Sequence, residues 1–244
     1  IQEQNSYAGL TNKWLASRVS RICVAYENMD RFFPTDKMVF TGNPVRSDIV
    51  NTDDKRSKAL DFFGLNPLKP VVLAIGGSLG ARTINQSILA SAAMFEKEGI
   101  QILWQCGKFY HAAMQTELIQ KSVKGIHLHE FIREMDLAYA AADVVISRAG
   151  ALSIAELCLV KKPVIFVPSP NVAEDHQTKN AMALVSKKAA LMVKDAESIQ
   201  ELGTKTIMLV KNETLKKSLS KNIEAMAVPD ATDRIVNEIV NVLR

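Results

Sequence analysis

Aromatic residues are few, with two Trp and four Tyr in 244 residues, and they do not interleave with basic residues. Proteins that hold single-stranded nucleic acid stack its bases on such aromatics inside a cationic groove, so nucleic acid is excluded as a partner. Cysteine is also scarce: Cys23, Cys106 and Cys158 lie far apart, with no CxxC spacing and no clustering with His. That distribution argues against a disulfide framework or a zinc site and fits a reducing, cytoplasmic setting. Among the four His, His127 and His129 alternate along an apolar run and share a face, but no carboxylate–His pattern accompanies them. No metal is therefore expected. No run approaches the roughly 18 apolar residues of a membrane span, and no leader-peptide pattern is present. Charge is weak as well. The formal balance of +4 is spread along the chain, and the stretch Lys108 to His111 and the pair Lys187-Lys188 read as solvated helix faces.

What is present is alternation. From Pro70 onward, short apolar runs recur: Val71 to Ile75, Ile102 to Cys106, Gly125 to His129, Asp143 to Ser147, Pro163 to Val167 and Ala189 to Val193. Each is strand-length and apolar on both faces, as parallel strands covered by helices must be. Amphipathic stretches such as Thr83 to Glu98 and Phe109 to Gln120 separate them. The pattern predicts βαβ units with right-handed crossovers, hence an α/β, Rossmann-like, doubly wound parallel sheet.

The ends differ from this middle. Residues 1–45 predict one helix (Leu10 to Arg18) and two strands (Arg21 to Ala25 and Met38 to Thr41), too little to close a core of its own. Past Ala196 the pattern is helical, with one helix to about Lys211 and another from Glu213 to about Ala225. After a break at Val228-Pro229, a last helix runs from about Asp230 to Leu243, and its apolar Ile235, Ile239 and Val242 give it a face to bury.

Three loops could carry chemistry. Gly76-Gly77-Ser78-Leu79-Gly80-Ala81-Arg82 follows a strand and opens a helix. Glycines let backbone approach an anion, and a helix amino terminus offers unpaired N–H groups and the positive end of its dipole. The same glycines would also serve a purely structural turn. The dinucleotide fingerprint and the Walker pattern are both absent. Ser147-Arg148-Ala149-Gly150 likewise leads into a helix, with Glu156 in its first two turns, where a carboxylate could accept both hydroxyls of a ribose or simply complement the dipole. Pro168-Ser169-Pro170-Asn171 precedes a third helix, on which Gln177 and Asn180 are three apart and could bond sugar hydroxyls or act as caps. Arg46 follows a turn at Gly42-Asn43-Pro44 and could neutralise a diphosphate.

Taken in order, Glu3-Gln4-Asn5, Ala8-Gly9-Leu10-Thr11-Asn12, Gly42 to Arg46, Gly76-Gly77-Ser78 with Gly80-Ala81, Ser147 to Ala151, Asp175-His176-Gln177 with Asn180-Ala181, and Pro229 to Thr232 resemble the peptidoglycan N-acetylglucosaminyltransferase family over essentially the whole chain. The resemblance implies an inverting GT-B glycosyltransferase of cell-wall biogenesis, and through it of cell shape and division. The donor would be UDP-N-acetylglucosamine. The acceptor would be lipid I (undecaprenyl-diphosphate-N-acetylmuramoyl-pentapeptide), and the β-1,4-linked product lipid II. It further implies that Ile132 meets the uracil through its backbone and that Glu156 holds the ribose. Ser78 and Arg46 would serve the diphosphate, Gln177 and Asn5 the sugar, while Ala151, Leu152 and Ser153 line the donor pocket. No cofactor or metal is implied, because helix termini and an Arg can stabilise the leaving diphosphate by preorganised charge.

Two departures stand out. The family's amino-terminal Gly-rich loop, its candidate catalytic His and its membrane-facing surface have no counterpart here, and Gln2 stands where many relatives carry His. No catalytic base is assigned, since none of the four His lies in a matching motif. The expectation is a truncated chain, with residues 1–45 the remnant of an acceptor domain. Residues 46–225 would form the donor domain, and residues 226–244 a helix crossing back. Such a piece would bind donor without turnover, and dimerise or be mobile at both ends. The complete enzyme would sit on the cytoplasmic face of the bacterial inner membrane. Two alternatives stay open: a nucleotide-sugar-binding subunit of a split transferase, and another UDP-sugar enzyme of the same fold.

Overall fold

Residues 1–45 build a three-stranded parallel sheet in a computed structural model of the chain, which describes residues 1–49 and 52–243. Strands β1 (Gln2–Glu3), β2 (Ile22–Val24) and β3 (Met38–Phe40) lie in that order, and helix α1 (Leu10–Leu15) links the first two. Strand β1 is not visible in the sequence pattern because two polar residues carry no period, and α1 stops short of the expected Arg18. The third strand changes the outcome: Ala8, Ala16, Ile22, Val24, Met29 and Phe33 do close a small core. Its floor is polar. The buried Glu3 carboxylate accepts from the backbone N–H of Asn5 (3.0 Å) and Gly9 (2.8 Å) and from Asn12 Nδ2 (2.8 Å), so it is satisfied without a cation.

The apolar runs form a second, six-stranded sheet, parallel throughout. Helix α2 (Arg56–Phe63) precedes β4 (Val71–Ile75); α3 (Arg82–Lys97), β5 (Gln101–Gln105), α4 (His111–Lys121) and β6 (Ile126–His129) follow. Next come α5 (Met135–Ala141), β7 (Val144–Ser147), α6 (Ala151–Val160), β8 (Val164–Phe166), α7 (His176–Val185) and β9 (Leu191–Met192). The strand order is β6-β5-β4-β7-β8-β9. Alternate residues feed two separate cores. Val71, Leu73 and Ile75 face the layer that holds Tyr139, Leu157 and Leu184, whereas Val72 and Ala74 face Ile84, Ile88, Phe95 and Leu202. That double burial is why the central strands read as unbroken apolar runs. Helices α2 and α5 were not anticipated; both are short, and α5 is apolar on every side from Leu137 to Ala141, where it is buried.

Helices α8 (Ser198–Lys211), α9 (Glu213–Glu224) and α10 (Ala231–Leu243) complete the chain. The last packs back on the small sheet, where Ile235, Ile239 and Val242 share a groove with Ile1, Val19 and Cys23, and Glu238 pairs with Arg21 at 3.5 Å. A second link runs through Asn180. Its Oδ1 accepts from the backbone N–H and hydroxyl of Ser6 (2.8 and 3.0 Å), and its Nδ2 donates to Asn5 Oδ1 (2.9 Å). Fully buried, it staples the small sheet to α7. Asn180→Ala should lower unfolding free energy by about 1–3 kcal/mol per stranded polar group. Urea denaturation is the check, with a lower midpoint expected at unchanged slope.

Candidate functional site

The order of the large sheet reverses beside β4. Chain growth proceeds from β4 to β5 to β6 and then returns to the other flank of β4 as β7. The loops leaving the carboxyl ends of β4 and β7 therefore diverge to opposite faces and leave a crevice between them, the place where open α/β sheets bind ligands. It encloses about 680 Å³, with the 76–83 loop on one side and Arg148, Gly150 and Ser153 on the other.

The glycine loop is shaped from behind. Gly80 has φ +79°, and a Cβ there would lie 1.9 Å from the Cys106 carbonyl oxygen, so the backbones of the β4 and β5 loops touch with no room for a side chain. Buried polar groups fix that contact: Trp104 Nε1 donates to Asn85 Oδ1 (3.0 Å), and Asn85 Nδ2 donates to the Cys106 carbonyl (2.9 Å). Ser78 is left exposed at the tip. Helix α3 begins behind it at Ala81, and α6 begins opposite at Gly150; no side chain caps either. Two helix amino termini thus bring unpaired N–H groups and positive dipole ends to one crevice, an environment suited to phosphate.

The far wall carries groups to which the sequence pattern gave no role. The Arg148 guanidinium, mostly buried, donates through Nη1 to the carbonyls of Val167 (2.8 Å) and Pro168 (3.0 Å) and to Asp195 Oδ1 (2.5 Å). Thr83 donates its hydroxyl to Asp195 Oδ2 at 3.0 Å. Arg148 is thus spent on holding the β7, β8 and β9 loops together rather than left free for an anion. Asp195 stands just past the run Ala189 to Val193, and that position after a strand is the one sequence signal that could have found it. Gln177 also lines the crevice; its Oε1 accepts from the Ser169 N–H (2.9 Å).

The other expected residues fall around this centre. Ser78, Ser153 and Gln177 share the crevice, whereas Asn5, Arg46, Ile132, Ala151, Leu152 and Glu156 lie outside its lining. Glu156 is one turn beyond Ser153 on α6, and the fully buried Tyr139 donates its hydroxyl to Glu156 Oε2 at 2.9 Å. Burial pushes the Glu156 carboxyl up, while the Tyr139 hydrogen bond and the charge of nearby Arg46 pull it down. Arg46 is exposed, 3.7 Å from Asp48. The Ile132 N–H is already given to Gln105 Oε1 (2.8 Å). Asn5, just after β1, has its Oδ1 tied to Asn180. Asn180 itself is not available to sugar hydroxyls, because its burial and its bonds to Ser6 and Asn5 commit it to the staple.

A doubly wound domain with a phosphate-ready crevice at its switch point, faced by a second parallel sheet, is the arrangement of a GT-B glycosyltransferase. Residues 71–235 match the Glycosyltransferase family 28 C-terminal domain, and the chain belongs to that family. It is 55% identical, over its full length, to the UDP-N-acetylglucosamine--N-acetylmuramyl-(pentapeptide) pyrophosphoryl-undecaprenol N-acetylglucosamine transferase of Cytophaga hutchinsonii, and covers 65% of that protein. It is 53% identical to the Parabacteroides distasonis protein of the same name, again over its full length, and covers 66% of it. The crystal structure of Acinetobacter baumannii MurG superposes with a TM-score of 0.78 at 28% identity, over 99% of this chain and 66% of that one. The chain therefore spans about two thirds of the relatives that it matches.

Replacing Gly80 by Ala should force the β4 and β5 loops apart and cost about 2 kcal/mol or more. In a chain of this size that is a fall of roughly 4–8 °C in Tm, measured by calorimetry. A melting temperature within a degree of the parent would show that the loop contact is not tight.

Proposed function

We propose that this chain supplies the donor-binding half of an inverting transferase that moves N-acetylglucosamine from UDP-N-acetylglucosamine to lipid I, the reaction for which its relatives are named. The observation that carries the proposal is the convergence of the α3 and α6 amino termini on one glycine-built crevice. There they would face the diphosphate, with Ser78 adding a hydroxyl. Glu156 would accept the ribose hydroxyls at the outer end, Gln177 would meet the sugar, and the Ile132 carbonyl would accept from the uracil N–H, since its own N–H is already given to Gln105. Ala151, Leu152 and Ser153 would line the pocket, Arg46 would approach the diphosphate from the linker, and Asn5 would approach the sugar from the small sheet.

Inversion requires the acceptor hydroxyl to attack the anomeric carbon on the face away from UDP. Positive charge grows on the sugar ring and negative charge on the departing diphosphate. Helix amino termini stabilise the latter without reorganising, which is where preorganised dipoles contribute most. No general base is assigned among residues 1–244. On this reading residues 1–45 belong to the acceptor side, 46–225 form the donor domain and 226–244 cross back, with the enzyme working at the cytoplasmic membrane surface where lipid I resides.

Tyr139 holds Glu156 by one oxygen and leaves the other to a ribose. Calorimetric titration with UDP-N-acetylglucosamine, UDP-glucose and UDP should show preference for the first. Glu156→Ala should weaken all three by about 10- to 150-fold, the loss expected when hydrogen bonds to a charged group worth 1.5–3 kcal/mol go. Equal binding by the variant would refute the ribose assignment.

The pH dependence has a definite sign. Burial raises the Glu156 pKa above its usual 4.5, so donor affinity should fall as pH drops through that raised value and the carboxylate protonates. Tyr139→Phe removes a hydrogen bond that favours the charged form, and should shift the fall to higher pH. An unmoved profile in that variant would count against the positioning role.

A further inference from the structure

Strands β6, β5, β4 and β7 end on one row, at His129, Gln105, Ile75 and Ser147, each level with the next. Gln105 is a buried amide, and it follows Leu103 on the face of β5 whose core includes Ile75 and Ile132. An amide in such a place is costly unless both of its ends are bonded. Here Nε2 donates to the Gly77 carbonyl (3.1 Å) and Oε1 accepts from the Ile132 N–H (2.8 Å). The partners fix the amide's orientation, since a carbonyl can only accept and a peptide N–H can only donate. Neither partner lies in a helix or strand. Gly77 belongs to the glycine loop after β4 and lines the crevice, and Ile132 belongs to the loop after β6.

The bond to Gly77 has a consequence one residue on. The Gly77 carbonyl also accepts from the Gly80 N–H (3.0 Å), so both of its lone pairs are taken and the peptide that follows is pinned. That peptide is trans, which sets the Ser78 N–H opposite the Gly77 C=O. With the oxygen drawn toward buried Gln105, the Ser78 N–H points away from the protein body. No acceptor takes it among the described residues, and Ser78 itself is exposed. Gly77 holds this pose at φ +84°, which costs a glycine little. We infer that Gln105 is a positioning residue for the donor: one end aims the Ser78 N–H at the diphosphate, and the other holds Ile132 beside the base.

This role rests on the donor reading given above and adds a physical link between the two halves of the ligand. Base and diphosphate meet loops that share one side chain, so a change at Gln105 reaches both without touching either. The pattern also says which substitutes fail. An ionised Glu keeps the acceptor for Ile132 but turns a second acceptor on the Gly77 carbonyl. A protonated Glu has a hydroxyl and regains the donor. Met is similar in length and offers neither group a partner.

The test titrates the 244-residue chain calorimetrically with UDP and with inorganic pyrophosphate, as parent, Gln105→Glu and Gln105→Met. Each variant is compared with the parent at the same pH, which cancels the titration of the ligands. At about pH 9, Gln105→Glu should bind both ligands about fivefold more weakly, the scale of one neutral hydrogen bond. Its deficit should close as pH falls, because burial raises a carboxyl pKa and the protonated group donates to Gly77 again. Gln105→Met should show a deficit that does not vary with pH and is larger for UDP than for pyrophosphate, since the Ile132 contact is lost as well. A merely structural Gln105 would lower the melting temperature of both variants and leave their affinities alone. Parental affinity in either variant at about pH 9, or a Glu deficit that acid does not close, would overturn the role. Equal losses for UDP and pyrophosphate in Gln105→Met would overturn the link to the base. If Gln105→Met does not fold, the pH series of Gln105→Glu decides. A parent that binds neither ligand would overturn the donor reading and the role of Gln105 with it, whereas binding that both variants retain overturns the role alone.

Discussion

A parallel sheet must be covered on both faces, and that requirement organises this molecule. Every strand of the large sheet runs the same way, so each connection crosses back over one face and all the carboxyl ends gather at one edge. With β4 in the middle and growth proceeding first to β6 and then from β7 to β9, the helices α3 and α6 leave from opposite faces at adjacent strands. The crevice is the gap that this divergence leaves. Its chemistry follows from the fold: two helix amino termini meet there because β4 and β7 are neighbours, although Ile75 and Val144 are far apart in sequence.

The crevice stays open because its walls are tied from behind. Trp104, Asn85 and the Cys106 carbonyl form one buried polar chain under the glycine loop, and Arg148, Asp195 and Thr83 form another across the β7, β8 and β9 loops. Both use polar groups that would be costly to strand, and so lock loop geometry that apolar packing alone would leave free. The Arg148–Asp195 pair also neutralises Arg148 within the wall of the crevice. What faces the crevice is the exposed Arg82 together with the fixed dipoles of two helix amino termini, and the dipoles need no rearrangement to meet an anion.

The relation between the two sheets rests on a few polar contacts and a thin apolar seam. Asn180 saturates its amide with Ser6, Asn5 and the Ala149 carbonyl, Glu3 organises the loop that presents the first two, and α10 lays part of its apolar face on the small sheet. Val236, Ile239, Val240 and Leu243 of that helix remain exposed. The two segments that join the sheets touch at Gly42 and Val228, so a small change there would alter the angle at which Asn5 and Arg46 face the large domain.

Much of this architecture was legible in the chain. The six apolar runs appear as six parallel strands within a residue or two, because strands buried on both faces leave a signal that needs no partner to be read. The glycine loop and the helix starts at Ala81 and Gly150 were also readable, since a strand, a turn and a helix follow one another in sequence. The short helices α2 and α5 and the two-residue β1 were not, for their length gives no period and their burial is set by distant elements. Glu156 and Gln177 could be proposed from local spacing, whereas Tyr139 on Glu156, Asp195 on Arg148 and the commitment of Asn180 to Ser6 could not. The sequence by itself determined the six strands of the large sheet, the longer helices and where backbone can approach an anion, because those depend on neighbours in the chain. Only the tertiary structure decided which polar groups remain free to meet a ligand, because Glu156, Arg148 and Asn180 are claimed by partners 17 to 175 positions away.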